Sequence, residues 1–243
     1  MPSRKPSKRP PASSRPSRQV LNTTLAADTR QRLLTVAADR FAADGYAGTS
    51  VRDLAQDAEV NVAAISYHFG GKQQLYQECL RQVFIRAQDF WNAARQRQQH
   101  AAALGTPLAA EQAIRQHIHE FVRMLFRQET AFTLMLREFL EPTEALGQVV
   151  AEFIGPNTTI LQALVDQLRP DLKGTVRLRA ACGSIAGQCV NLRVARALIA
   201  RLNRLDYLDA TFLHRAAEQI ADFSLASLRC TEESNPQRNI HSC

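Results

Sequence analysis

Residues 50–75 read SVRDLAQDAEVNVAAISYHFGGKQQL, a run so dense in helix starts and stops that few folds accommodate it. Ser50 with Asp53 three residues later is a helix N-cap with an acid placed to close a capping box. Val51, Leu54, Ala55 and Ala58 then recur at helical spacing. A polar break at 57–61 follows, and Asn61 is a good cap for a second short helix over 62–69. Gly70 and Gly71 stop that helix, and a third opens at Lys72. The second helix offers only Val62, Ile65 and Phe69 as apolar anchors, too few for a core helix. Two short helices joined by a tight turn, the second exposing small and polar side chains, form the helix-turn-helix pattern. An ordinary pair of packed helices is the plainer alternative.

The flanking chain extends this helical reading. Residues 28–44 place Leu33, Leu34, Ala37, Ala38 and Phe41 on one stripe, with Gly45 as the C-terminal signal. Residues 72–98 read as one long helix with Leu75, Cys79, Leu80, Val83, Phe84, Ala87, Phe90 and Trp91 on its buried side. At ~1.5 Å per residue such a helix spans about 35–40 Å, enough to join a DNA-binding surface to a second unit.

Phe41 and Gly45-Tyr46, with residues 49–55 (TSVRDLA) and 65–72 (ISYHFGGK), resemble the N-terminal DNA-binding domain of the TetR family. The resemblance covers residues 28–75. It implies an all-α dimer with a three-helix head containing the helix-turn-helix and a larger C-terminal body for ligand binding and dimerisation. One departure is Ser66 where many relatives carry Tyr, with the aromatic residue here one place later at Tyr67; it bears on base preference, not on fold.

Charge is distributed unevenly. The chain has a formal net charge of +7, yet Arg4, Lys5, Lys8, Arg9, Arg15 and Arg18 fall in residues 1–27, which contain no acid. The body is therefore nearly neutral. The Pro-, Ser- and Arg-rich stretch through residue 22 is expected to be irregular, and residues 1–27 to act either as a basic arm on DNA or as a solvating tail. Five cysteines, odd in number and widely spread, fit a reducing compartment and not a disulfide framework. With no apolar leader segment and no 18-residue uncharged apolar run, the expectation is a cytoplasmic protein without membrane contact.

Beyond residue 98 the pattern remains helical. A loop at 101–105 precedes a helix over 107–127, with Pro107 in its first turn. His117 and His119, two apart on that helix, point about 200° away from each other and cannot share one ion, so no metal is assigned. Further helices are expected at 130–141, up to 154, and at 157–169, with breaks at Pro142 and at Gly155-Pro156. Two long helices, 174–202 and 208–229, close the body, and residues 231–243 form a polar tail. The stretches 137–143 (REFLEPT), 183–190 (GSIAGQCV) and 193–196 (RVAR) resemble the C-terminal domain of the TetR subgroup typified by the regulator of cefoperazone and chloramphenicol sensitivity. That resemblance implies regulation of genes for membrane exporters and a dimer built from the last two long helices. The resulting division is 1–27 arm, 28–75 head, 76–230 body and 231–243 tail.

The resemblance also supplies roles. Arg52 is the side chain placed for a bidentate contact to guanine. Val62, Ala63 and Ser66 would meet base edges, while Thr49, Tyr67, His68 and Lys72 would hold phosphates of a palindromic operator in double-stranded DNA. For a small-molecule effector the candidates are Phe121, Met124, Arg137, Glu138, Phe139 and Gln188, and no cofactor is implied. The leading function is a ligand-responsive repressor acting as a homodimer. The alternative is a constitutive or architectural DNA-binding protein with a body filled by its own side chains. An enzyme is disfavoured, because Gly183-Ser184-Ile185-Ala186-Gly187 lacks the order and strand-turn-helix context of a nucleophile elbow, and no phosphate loop appears.

Overall fold

A computed structural model describes residues 18–229, all of whose regular elements are helical. The expected arm therefore lies outside the described residues through residue 17, as does the tail from residue 230. The first helix, α1 (Arg18–Gly48), starts earlier than the sequence pattern suggests, so residues 18–22 are helical and not irregular. Gly45 stands within it at φ 75° and ψ 172°, a conformation natural only to glycine, and turns the end of the helix instead of simply ending it.

The helix-turn-helix follows as expected, with α2 (Val51–Asp57) and α3 (Val62–Phe69). The predicted long helix at 72–98 is divided into α4 (Lys72–Arg86) and α5 (Gln88–Leu104), which absorbs residues 101–104 of the loop expected at 101–105. The division falls at Ala87, where φ −90° and ψ 3° leave helical geometry and the N–H reaches both Val83 and Phe84 carbonyls. Apolar residues continue on both sides of that point, so periodicity alone does not reveal the break.

Thr106 caps α6 (Pro107–Arg127) by accepting a hydrogen bond from the Ala109 N–H at 3.2 Å. α7 (Glu129–Leu140) ends before Pro142. The expected break at Gly155-Pro156 is absent: α8 (Ala145–Val149), one π-helical turn (Val150–Ile154) and α9 (Gly155–Leu168) run on continuously. Pro156, which has no N–H to contribute to the ordinary ladder, sits in the first turn of α9 directly after the wider π turn. After a short 3-10 turn come α10 (Val176–Val194), α11 (Arg196–Leu202) and α12 (Ala210–Arg229), so the predicted 174–202 helix is also divided, at Ala195.

Two apolar cores result. One joins α1 to α4 through Leu33, Phe41, Leu54, Ile65, Leu75 and Leu80, and takes in Leu134 and Met135 of α7 with Ala145 and Val149 of α8. The other packs Ile114, Ile118, Leu164, Val165, Ile185, Cys189, Ala221 and Leu225 from α6, α9, α10 and α12. Among the described residues no helix is long and apolar enough to cross a membrane.

Candidate nucleic-acid interface and head–body junction

The local chemistry of the head is that of its caps. Ser50 accepts from the Asp53 N–H at 3.1 Å, while Asp53 accepts from the Ser50 N–H at 3.2 Å, closing the capping box. Hydrogen bonds from Ser50 hold the Asp53 carboxyl below the usual carboxylate range. Asn61 caps α3 through the Ala63 N–H at 2.9 Å, and Gly70 at φ 85° ends it in a left-handed turn. Arg40 of α1 ties to Asp57 at the end of α2, and to Asp44 at 2.9 Å.

This framework holds α3 by one deeply buried anchor, Ile65, and leaves its outer face free. Val62, Ala63, Ser66 and Tyr67 are exposed on that face, Tyr67 at 82%. Arg52 is exposed on α2, and His68 is half-buried against Tyr67, ring centroids 4.9 Å apart. Lys72 lies 4.3 Å from the Tyr46 ring centroid, and partial burial lowers its pKa. Among the described residues no side chain caps the N-terminus of α4, where an anion could meet the first N–H groups beside Lys72. Thr49 departs from expectation: it is 2% exposed and its hydroxyl donates to the Gly45 carbonyl at 2.8 Å. Its side chain serves the turn between α1 and α2 and is not presented to a phosphate.

The six residues expected to line an effector pocket are not brought together. Arg137 of α7 donates to the Ala42 carbonyl at 2.6 Å and to that of Ala43, completing the open C-terminal carbonyls of α1. Glu138 is fully buried and accepts from the Tyr76 hydroxyl of α4 at 2.7 Å and from the Thr143 N–H at 3.0 Å. The Thr143 hydroxyl also reaches it, at 3.0 Å. Burial, and then the bond to Glu138, raises the Tyr76 pKa far above the ordinary phenol value. These two residues form the junction between head and body. Phe139, beside them, is 49% exposed. Gln188 reaches Ser224 of α12 at 3.4 Å, and Met124 is half-buried on α6.

Phe121 instead joins an aromatic cluster that sequence reasoning missed: Phe90, Trp91 and His117, with Phe121 and His117 stacked 6.1 Å apart. The buried Trp91 Nε1 and His117 Nδ1 have no hydrogen-bond partner among the described residues. Burial, and secondarily the neighbouring Arg97 charge, depresses the His117 pKa to about 4, so the ring is neutral. Apolar periodicity had flagged Phe90 and Trp91 only as buried helix residues, and of the four Phe121 alone was expected at an effector site. A cleft of about 450 Å³ lies between α4 and the segment after α7, lined by Tyr46, Gln73, Tyr76 and residues 142–145.

A capped recognition helix with a bare outer face, set on a helical body, defines a helix-turn-helix DNA-binding protein. Comparison with known proteins is specific. Residues 33–79 match the family model of bacterial regulatory proteins of the tetR family, and residues 110–228 match the C-terminal domain of the HTH-type transcriptional dual regulator CecR. The chain belongs to the TetR family, a non-enzymatic family of DNA-binding transcriptional regulators, and carries the CecR-type C-terminal domain. It is 29% identical over 121 residues to the Probable HTH-type transcriptional regulator YttP of Bacillus subtilis, and 28% over 140 residues to CecR of Shigella flexneri. Those alignments cover 46% and 56% of this chain, and 56% and 62% of the two relatives. The fold is also that of a TetR-like regulator from Rhodococcus sp. RHA1, at a TM-score of 0.61 and 15% identity over 84% of this chain and 97% of that one.

Proposed function

We propose that this chain represses transcription as a homodimer on a palindromic operator and releases it when a small molecule enters the body. The observation that carries the reading is the outer face of α3, where Val62, Ala63, Ser66 and Tyr67 are exposed. Arg52 flanks that face on α2 and Lys72 at the bare start of α4. A helix presented in this way fits the major groove, where Arg reads guanine and small apolar side chains meet thymine methyls. Tyr67, His68 and Lys72 supply phosphate contacts.

Dimerisation is supported by the outer faces of α10 and α12. Gly183, Ser184 and Gly187 are exposed on α10 and would let another helix approach closely, and Phe223 on α12 is 62% exposed. The Phe90, Trp91, His117 and Phe121 cluster supports an effector site for a planar molecule with a hydrogen-bond acceptor, directed at Trp91 Nε1. Trp91 stands four residues beyond the Ala87 break, so a ligand there acts directly on the seam between α4 and α5. The shift passes to the heads through α4 and the Glu138–Tyr76 bond, and a coupling of ~1–3 kcal/mol suffices to weaken operator binding. Regulated exporter genes are the targets that the subgroup resemblance favours.

Selection of bound fragments from the source genome with purified full-length protein tests the reading. Enrichment of one dyad-symmetric sequence, with half-sites spaced as a two-fold dimer requires, is the expected result. Enrichment of fragments without dyad symmetry would overturn it. The chain has a single tryptophan, so quenching of Trp91 emission reports effector entry without a label.

A further inference from the structure

Outside the DNA face and the effector cluster, the described residues hold one group of three metal-ligating side chains: His119 on α6 with His214 and Glu218 on α12. We propose that it is a divalent-metal site, taking a borderline-soft first-row ion such as zinc, that clasps α12 to α6.

The geometry comes from three elements of local structure. His214 and Glu218 are four residues apart, so both project from one face of α12. His119 meets them from the facing helix: its Nε2 lies 2.7 Å from a Glu218 carboxylate oxygen, and its ring centroid 4.8 Å from that of His214. One ligand atom from each of the three residues falls within 4.8 Å of the others. Atoms sharing a zinc ion at ~2.0–2.2 Å stand about 3–3.5 Å apart, so small rotamer changes bring the set into place. Two imidazoles and a carboxylate are the donor set that suits zinc and related ions, and three protein ligands leave a position open for water.

The surroundings support the carboxylate's orientation. Arg115, one turn before His119 on α6, binds the other Glu218 oxygen and reaches Asp222 at 2.6 Å. That is the outer-shell arrangement that fixes a ligating carboxylate. Metal binding replaces the His119–Glu218 hydrogen bond, while the Asp222 carboxylate offsets the charge of Arg115. Phe223, five residues past Glu218, points about 140° away, so the clasp leaves the apolar face of α12 clear.

The test uses the full chain stripped with chelator and then titrated with cobalt(II) and with zinc. Expected are the visible d–d bands of a low-symmetry cobalt site, one zinc per chain by calorimetry, and a melting temperature that rises with zinc. His214→Ala, at an exposed position, should weaken binding at least tenfold and abolish the thermal shift, as should Glu218→Gln. His100→Ala, on the exposed end of α5, should leave both unchanged. No saturable binding at one per chain, or cobalt bands and a thermal shift that survive His214→Ala combined with His119→Ala, would overturn the assignment.

Discussion

Replacing Glu138 with Gln tests the buried polar contact that ties α7 to α4. Every partner of this fully buried carboxylate is a donor: the Tyr76 hydroxyl at 2.7 Å, and the Thr143 N–H and hydroxyl at 3.0 Å. Hydrogen bonds to a charged group contribute ~1.5–3 kcal/mol, against ~0.5–1.5 kcal/mol for neutral ones. Gln keeps the shape but turns an N–H₂ toward either Tyr76 or Thr143. Removing a buried charge offsets part of the loss, so the single substitution is an ambiguous guide. A double-mutant cycle isolates the pair: Glu138→Gln, Tyr76→Phe and both together should show a coupling of ~1–2 kcal/mol by urea denaturation at constant m. The same variants should lose effector-induced release of DNA while retaining operator binding in its absence. Free energies that simply add, within ~0.5 kcal/mol, would refute the claim that this contact couples α4 to α7.

Three further outcomes follow from the geometry. Burial holds His117 neutral with a pKa depressed from 6.5 to about 4. The unfolded chain therefore takes up the extra proton between those values, and stability falls as pH drops across that window, by ~3 kcal/mol once below the folded pKa. His117→Gln should flatten that part of the melting-temperature profile. Gly45→Ala forces an alanine to φ 75° and sets its Cβ 3.3 Å from Arg137 Nη1; thermal melts should show a loss of at least ~1–2 kcal/mol. Arg52→Ala should cost ~1–3 kcal/mol of operator affinity and relax preference at one base pair, whereas Lys72→Ala should lower affinity uniformly and reduce the salt slope by ~1, both read by titration at several ionic strengths.

The residues that the sequence made legible are those whose partners lie within a helical turn. Ser50 with Asp53, the Asn61 cap, Pro107 in the first turn of α6 and the left-handed Gly70 are local devices, and each forms where its spacing places it. The all-helical class, the recognition helix and the exposure of Val62, Ala63, Ser66 and Tyr67 follow from them. Breaks inside apolar runs were not legible. Ala87 and Ala195 carry no breaker signal, and Pro156 follows a π turn without ending the helix.

What only the tertiary structure decided is where the chemically capable side chains of the body find their partners. Arg137 and Glu138 are neighbours in sequence, yet one meets a carbonyl 95 residues away and the other a hydroxyl 62 residues away. Thr49 turns inward to Gly45, and Phe121 faces Phe90 and Trp91 across two helices. His119 meets Glu218 from 99 residues away, after a spacing argument had considered only His117 as its companion. Helix periodicity states which face of each cylinder is apolar; the angle and register at which cylinders pack depend on side-chain interdigitation that no single stretch encodes.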